Sequence, residues 1–118
     1  MIRKSFIKVS FQKEGIHKYP NAPKEVEFLR HPHRHMFHFH VTLEVFHDDR
    51  DVEFIIFKRE LENLFENGTM QANNKSCEML AHDLLDYLEI NYNGRMAKVE
   101  VYEDGENGGI VYNHHNVA

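Results

Sequence analysis

Hydrophobic and polar residues alternate along four stretches of the chain, and alternation with a period of two is typical of half-buried β-strands. The predicted strands cover residues 4–12, 35–46, 97–103 and 110–112. In the second stretch one face carries Phe37, Phe39, Val41, Leu43 and Val45. The opposite face of that strand carries polar side chains, His38 and His40 among them. This pattern predicts a sheet with one buried face and one polar face.

Between the second and third strands the spacing of apolar residues changes to that of helices. Phe54, Phe57 and Leu61 share one side of a first helix, which is predicted to end near residues 67–68. A second helix is predicted to begin after Ser76, because serine is a favourable N-cap and Glu78 lies in the first turn, where the helix dipole favours negative charge. The remaining segments are predicted to be loops or tail, over residues 15–24, 69–75 and 113–118.

The predicted order is strand, strand, helix, helix, strand, strand. We therefore expect an α+β fold in which an antiparallel four-stranded sheet carries both helices on one face. Residues 1–118 form one domain in this interpretation, because the length suits a single core and no linker divides the chain.

Composition narrows the classes of function. The formal net charge is −5, which gives no electrostatic basis for binding nucleic acid or an anionic membrane. The single cysteine, Cys77, excludes an internal disulfide framework and favours a reducing compartment. We read no signal peptide and no transmembrane segment and therefore expect a cytoplasmic protein. The unusual feature is histidine, with 10 residues.

His33 and His35 are two residues apart, a spacing that directs both rings to the same face of a strand. Two imidazoles on one face can chelate a transition metal, and zinc is the expected ion for nitrogen ligands in the cytoplasm. His17, after the first strand, is the candidate third ligand. Three histidines would leave a fourth position open for water or substrate. The alternative is that these are ordinary surface histidines.

His38 and His40 repeat the same spacing on the opposite face of the strand. They are candidates for a second, weaker metal site, but we favour polar residues that face solvent or another subunit. A further alternative is a metal-sequestering protein that uses all five histidines between His31 and His40.

Two further residues can carry chemistry. Cys77 lies in the first turn of a helix, where the dipole can lower the pKa of a thiol and make it a nucleophile, although most lone cysteines are inert. Glu103 ends a strand, and its carboxylate can accept two hydrogen bonds from a planar N–H and NH₂ edge such as that of a pterin or guanine. The alternative for Glu103 is a solvated charge.

Together these residues resemble the 6-pyruvoyl-tetrahydropterin synthase and 6-carboxy-tetrahydropterin synthase family over nearly the whole chain. The matching positions, in order, are His17, His33-Arg34-His35, Ser76-Cys77-Glu78 with Met79-Leu80-Ala81, and Tyr102-Glu103. The family has a zinc histidine after its first strand, then a His-Gly-His motif that leads into a long strand. It also has a Thr-x-Glu-x-Leu-Ala helix start and a glutamate that anchors the pterin ring.

The resemblance implies the tunnelling fold, or T-fold, in which subunits join their sheets into a barrel, as a trimer or a hexamer. It implies zinc bound by His17, His33 and His35, with Glu103, Ser76 and Glu78 at a substrate site between subunits. The implied substrate is 7,8-dihydroneopterin triphosphate or a related pterin, and the implied reaction is that of a zinc-dependent lyase.

The chain departs from the family at its proton-transfer groups. Leu29 occupies the place of the catalytic cysteine, and residues 67–74 hold neither Asp nor His where the family has Leu-Asp-His. Cys77 and His31 are the candidates to replace them. Two functions therefore stay open: a zinc enzyme acting on a pterin, and a non-catalytic oligomeric binding or scaffold protein with structural or vestigial metal ligands.

Overall fold

Within residues 1–65 and 67–114, which the computed structural model describes, five strands form one mixed sheet. The strands are β1 (Ser5–His17), β2 (His33–Val45), β3 (Met70–Asn73), β4 (Ala97–Glu103) and β5 (Asn107–Tyr112). The helices are a 3-10 helix (Lys24–Arg30) and two α-helices, α1 (Phe54–Glu62) and α2 (Cys77–Asn91). The predicted α+β class is confirmed.

The prediction of a four-stranded antiparallel sheet is wrong. The strand order is β3-β1-β2-β4-β5, and β3 runs parallel to β1 through pairs such as Gly15 with Met70. We predicted a loop over residues 69–75, because that stretch is mostly polar and the four residues that form β3 are too few to carry a clear strand signal. Since β1 extends to His17 rather than ending at residue 12, its outer edge has unpaired backbone groups that β3 completes.

Further details also differ from prediction. A 3-10 helix that was not predicted begins at the last residue of the loop expected over residues 15–24. β2 begins at His33 rather than His35, α1 ends at Glu62 rather than near residues 67–68, and β5 begins at Asn107 rather than at residue 110. The start of α2 is as predicted, because the Ser76 hydroxyl accepts a hydrogen bond from the Met79 N–H at 3.2 Å. In the predicted tail, residues 113 and 114 lie outside any helix or strand, and residues 115–118 lie outside the described part of the chain.

The core lies between the helices and one face of the sheet. It contains the predicted apolar face of β2, and both α-helices contribute to it, as Phe57 and Leu61 of α1 and Leu84 and Leu88 of α2 show. His38 and His40 lie on the other face. Among residues 1–65 and 67–114, no helix has the combination of length and apolar character that crossing a bilayer requires.

The strand register decides which side chains meet at one end of the sheet. His17 at the end of β1 pairs directly with His33 at the start of β2, and His35 pairs with Gly15. Glu103 at the end of β4 pairs with Phe37 on the other side of β2. The ends of three neighbouring strands therefore bring the histidines and this glutamate to the same region.

Candidate metal centre

His17, His33 and His35 converge at this end of the sheet. One potential ligand atom from each residue lies within 4.8 Å of the other two, and the ring centroids are 4.6 to 5.2 Å apart. The structure therefore brings together the three residues that the sequence nominated. His17 is 8% exposed, whereas the other two are partly exposed. The group is therefore buried at His17 and partly accessible at His33 and His35.

The Nδ1 atom of each ring faces an oxygen acceptor. His17 Nδ1 lies 2.9 Å from the Lys75 carbonyl, and His33 Nδ1 lies 2.8 Å from the His31 carbonyl. His35 Nδ1 lies 2.7 Å from Asp104 Oδ2. An acceptor at Nδ1 requires the proton there, which leaves the Nε2 lone pair of a neutral ring free to bind a metal.

Two of the three Nε2 atoms lack a hydrogen bond in the described part of the chain, although a carboxylate lies near both. The Nε2 atoms of His17 and His35 are buried and have no hydrogen-bond partner there. A buried polar atom without a partner costs free energy unless an ion or water completes it. Three imidazole nitrogens within 4.8 Å of one another would supply the donor set that zinc prefers.

Glu103 is the nearest carboxylate to these nitrogens. Its Oε1 lies 3.4 Å from His17 Nε2 and its Oε2 lies 3.3 Å from His35 Nε2. A carboxylate at this distance offers negative charge to a bound cation. It can also accept hydrogen bonds from a ligand beside the metal.

A cleft of about 550 Å³ opens beside the triad formed by His17, His33 and His35. Its walls include two of the histidines and Glu103, with Leu29, Cys77 and Glu78. That volume is in the range of small-molecule sites, which are concave and mostly apolar with a few polar groups. His17 and His33 thus border a space large enough for a small organic ligand.

Cys77 lies in this cleft but is not prepared for nucleophilic chemistry. Burial, and then the carboxylates of Glu103 and Glu78, raise the pKa of the thiol to about 12. This direction is opposite to the one that the helix dipole alone predicts. The thiol stays protonated at neutral pH and can donate a hydrogen bond to Glu103 Oε1 at 3.8 Å. It can therefore help to orient the Glu103 carboxylate.

The other nominated residues have different surroundings. Ser76 and Glu78 line the cleft, although the Ser76 hydroxyl also caps α2. The Glu78 side chain packs against Gly109. A Cβ atom on residue 109 would lie only 2.6 Å from Glu78 Oε1, so glycine at this position makes room for the glutamate. The described residues that line the cleft do not include His31, whose side chain is exposed and lines a separate depression.

Sequence reasoning missed Asp104. This residue follows β4 and has φ of 55°, in the left-handed region that Asp and Asn tolerate better than most residues. The N–H of Met36, and then His35, lower the pKa of the carboxyl, so it is ionised at neutral pH. Its position next to Glu103 in the sequence was visible, but its contact with His35 depends on the turn.

Comparison with known proteins assigns no family. No family model matches the chain, and no curated protein matches it. The function is therefore inferred from the geometry of the site.

Proposed function

We propose that this protein binds one zinc ion through His17, His33 and His35 and binds a reduced pterin in the adjoining cleft. The observation that supports the metal is the set of three Nδ1 contacts at 2.7 to 2.9 Å, which leave the Nε2 lone pair of each neutral ring available to a metal ion. Three histidines with an open fourth position are the ligand set of catalytic rather than structural zinc.

Zinc fits the donor set better than calcium or magnesium does. Calcium and magnesium prefer oxygen ligands, and the triad offers nitrogen only. Bound zinc would act as a Lewis acid toward a ligand hydroxyl or carbonyl and make the adjacent positions more acidic. The residues of the chain would hold and orient the ligand around that ion.

Glu103 is the proposed anchor of the pterin ring. A planar N–H and NH₂ edge can donate two hydrogen bonds to one carboxylate, and Glu103 lies in the cleft wall within 3.4 Å of a triad nitrogen. Cys77 would orient this carboxylate through its thiol. Ser76 and Glu78 complete the proposed binding surface, and 7,8-dihydroneopterin triphosphate or a related pterin is the proposed ligand.

We further propose that the domain has the T-fold and assembles as a trimer or hexamer in the cytoplasm. Among the described residues β3 and β5 form the two edges of the sheet, so each offers one side for pairing with another copy. Ile110 and Tyr112 on β5 are more than half exposed. Joining the edges of several copies would close the sheet and place the cleft near a subunit boundary. The unpaired Cys77 fits a reducing compartment.

Two observations favour a second candidate, a binding protein without turnover. Leu29 lines the cleft at the position where the resembling family has its catalytic cysteine, and the Cys77 thiol is protonated at neutral pH. Without a thiolate, proton transfer would depend on carboxylates such as Glu78. If the reaction occurs, it is that of a zinc-dependent lyase.

The test measures zinc, binding and turnover separately. We expect one zinc per chain by elemental analysis, and binding of 7,8-dihydroneopterin triphosphate that weakens in Glu103→Gln, with Glu106→Gln as a matched control on the exposed turn. Zinc-dependent conversion of the pterin would identify an enzyme, and binding without conversion would identify the second candidate. Absence of zinc from the purified protein, or equal pterin affinity in both variants, would contradict the proposal.

The assembly is tested by light scattering coupled to size-exclusion chromatography. We expect the mass of a trimer or hexamer at micromolar concentration. Substitution of Ile110 by lysine would place a charge on the β5 edge and is expected to shift the mass toward that of a single chain. A single-chain mass for the unsubstituted protein would contradict the proposed barrel.

A further inference from the structure

The three histidines of the proposed metal site are not held in the same way. His17 and His33 face main-chain carbonyl oxygens, which carry no formal charge. His35 faces the Asp104 carboxylate, at the shortest of the three distances, 2.7 Å. A carboxylate at Nδ1 withdraws the proton more strongly than a carbonyl does and makes the opposite nitrogen a stronger donor.

Asp104 is itself fixed by a reciprocal arrangement with Met36. The Asp104 N–H donates to the Met36 carbonyl at 2.8 Å, and Asp104 Oδ1 accepts from the Met36 N–H at 2.9 Å. The second oxygen, Oδ2, is thereby directed at His35. The turn after β4 holds both carboxylate oxygens in place at once, because its φ of 55° allows the side chain to fold back over β2.

We propose that Asp104 is a positioning residue of the metal centre, which fixes the orientation and tautomer of His35 and strengthens its bond to the ion. This inference depends on the proposed zinc site. Asp104 would not touch the metal, and its effect would pass through the His35 ring. An amide in its place can accept the same hydrogen bond only weakly and can also donate one, which would favour the wrong tautomer.

The principal test is zinc affinity in Asp104→Asn, measured by competition with a chromophoric chelator. Loss of an outer-shell carboxylate is expected to weaken zinc binding by about 10–100-fold. The matched control is Asp51→Asn at the opposite end of β2. Asp51 also accepts a main-chain N–H, from Phe46 at 2.8 Å, and lies 3.7 Å from His47. The Asp51→Asn variant is expected to bind zinc with an affinity within about twofold of that of the unsubstituted protein, because the 10–100-fold loss is expected only at an outer-shell partner.

A second variant separates the metal effect from folding. Asp104→Gly suits the positive φ without steric strain and keeps the main-chain N–H, so the turn is expected to persist. It is also expected to weaken zinc binding, while circular dichroism stays native. Nitrogen NMR of the metal-free protein gives a readout that does not depend on zinc: His35 is expected as the Nδ1–H tautomer in the unsubstituted chain, and this bias is lost in both variants.

The outcomes distinguish the two proposals. One outcome would overturn the role of Asp104 but keep the metal site: the unsubstituted protein binds zinc, and both Asp104 variants bind it with an affinity within about twofold of that value. The expected loss in the variants is about 10–100-fold. If the unsubstituted protein binds no zinc, the proposed function and the role of Asp104 fail together. An unchanged His35 tautomer in Asp104→Asn would also overturn the inference.

Discussion

The two His-x-His pairs of β2 have the same spacing but opposite surroundings. His33 and His35 lie on the face that the helices cover, opposite His17, and each has an acceptor at Nδ1. His38 and His40 lie on the polar face. The cross-strand partners of this second pair on β1 are Gln12 and Ser10.

The His40 ring shows the contrast most clearly. Its Nδ1 lies 2.8 Å from the Ser10 hydroxyl, an exposed group that can donate or accept, so neither tautomer is required. The described residues contain no group of three potential ligands around this pair. His-x-His spacing therefore aligns only two rings, whereas a third ligand and fixed acceptors at Nδ1 make a candidate metal centre.

The largest expected effect is the loss of metal from only one of the two pairs. His33→Ala with His35→Ala is expected to reduce bound zinc from one per chain to none, whereas His38→Ala with His40→Ala keeps one. Elemental analysis after dialysis measures both. Zinc at a concentration of about 1,000 times its dissociation constant stabilises the folded protein by about 4 kcal/mol. Of the two double variants, only His38→Ala with His40→Ala is expected to show this stabilisation in thermal unfolding.

Two results would contradict this contrast. Equal loss of zinc from both double variants would show that the pairs act as one site. More than one zinc per unsubstituted chain would favour the metal-sequestering alternative, in which all five histidines between His31 and His40 take part.

An intermediate effect is expected when the second pair receives a third histidine. Gln12 pairs with His38 as His17 pairs with His33, so Gln12→His copies the arrangement of the proposed site. We expect a second zinc that binds about 10–100-fold more weakly than the first, because the rings there would lack the fixed acceptors at Nδ1 that the first site has. Isothermal titration measures both sites, and Gln12→Asn is the control. Equal affinity of both sites would show that the acceptors at Nδ1 are unimportant.

The smallest expected effect is on stability at mildly acidic pH. Burial, and then Lys8, lower the pKa of His40 below its ordinary value. The unfolded chain therefore binds the proton more readily, and this contribution to stability is present above pH of about 6.5 and is lost as the pH falls through the lower folded pKa. His40→Gln is expected to flatten the decline by less than about 1 kcal/mol, since the ring is only partly buried. Urea unfolding in the presence of a chelator measures it. An equal slope in both proteins would contradict the assignment.

Some of the site could be predicted from the sequence because strand periodicity has a direct geometric meaning. Alternation along β2 placed His33 and His35 on the same face as Phe37, and the structure agrees. The position of His17 was less constrained, because its pairing with His33 required β1 to extend five residues beyond its clear alternation.

The remaining parts could not be predicted, because their causes are not local. β3 forms a strand because it pairs in parallel with β1, and no sequence pattern within Met70–Asn73 predicts that pairing. The acceptors for His17 and His33 are main-chain carbonyls, which every residue possesses, so Lys75 and His31 carry no distinguishing signal. The sequence left open whether the helix dipole lowers the pKa of Cys77, and the opposite direction arises because burial and two carboxylates act on the thiol.

The acceptors at Nδ1 also determine when the site can form during folding. His17 and His33 come together with the pairing of β1 and β2, but Lys75 is 58 residues from His17 and Asp104 is 69 residues from His35. Contacts this distant in sequence require large loop closures and tend to slow folding. The first two strands alone would therefore hold zinc loosely, and full affinity would arise only after α2 and β4 have docked. Metal capture would mark the end of folding rather than its nucleus.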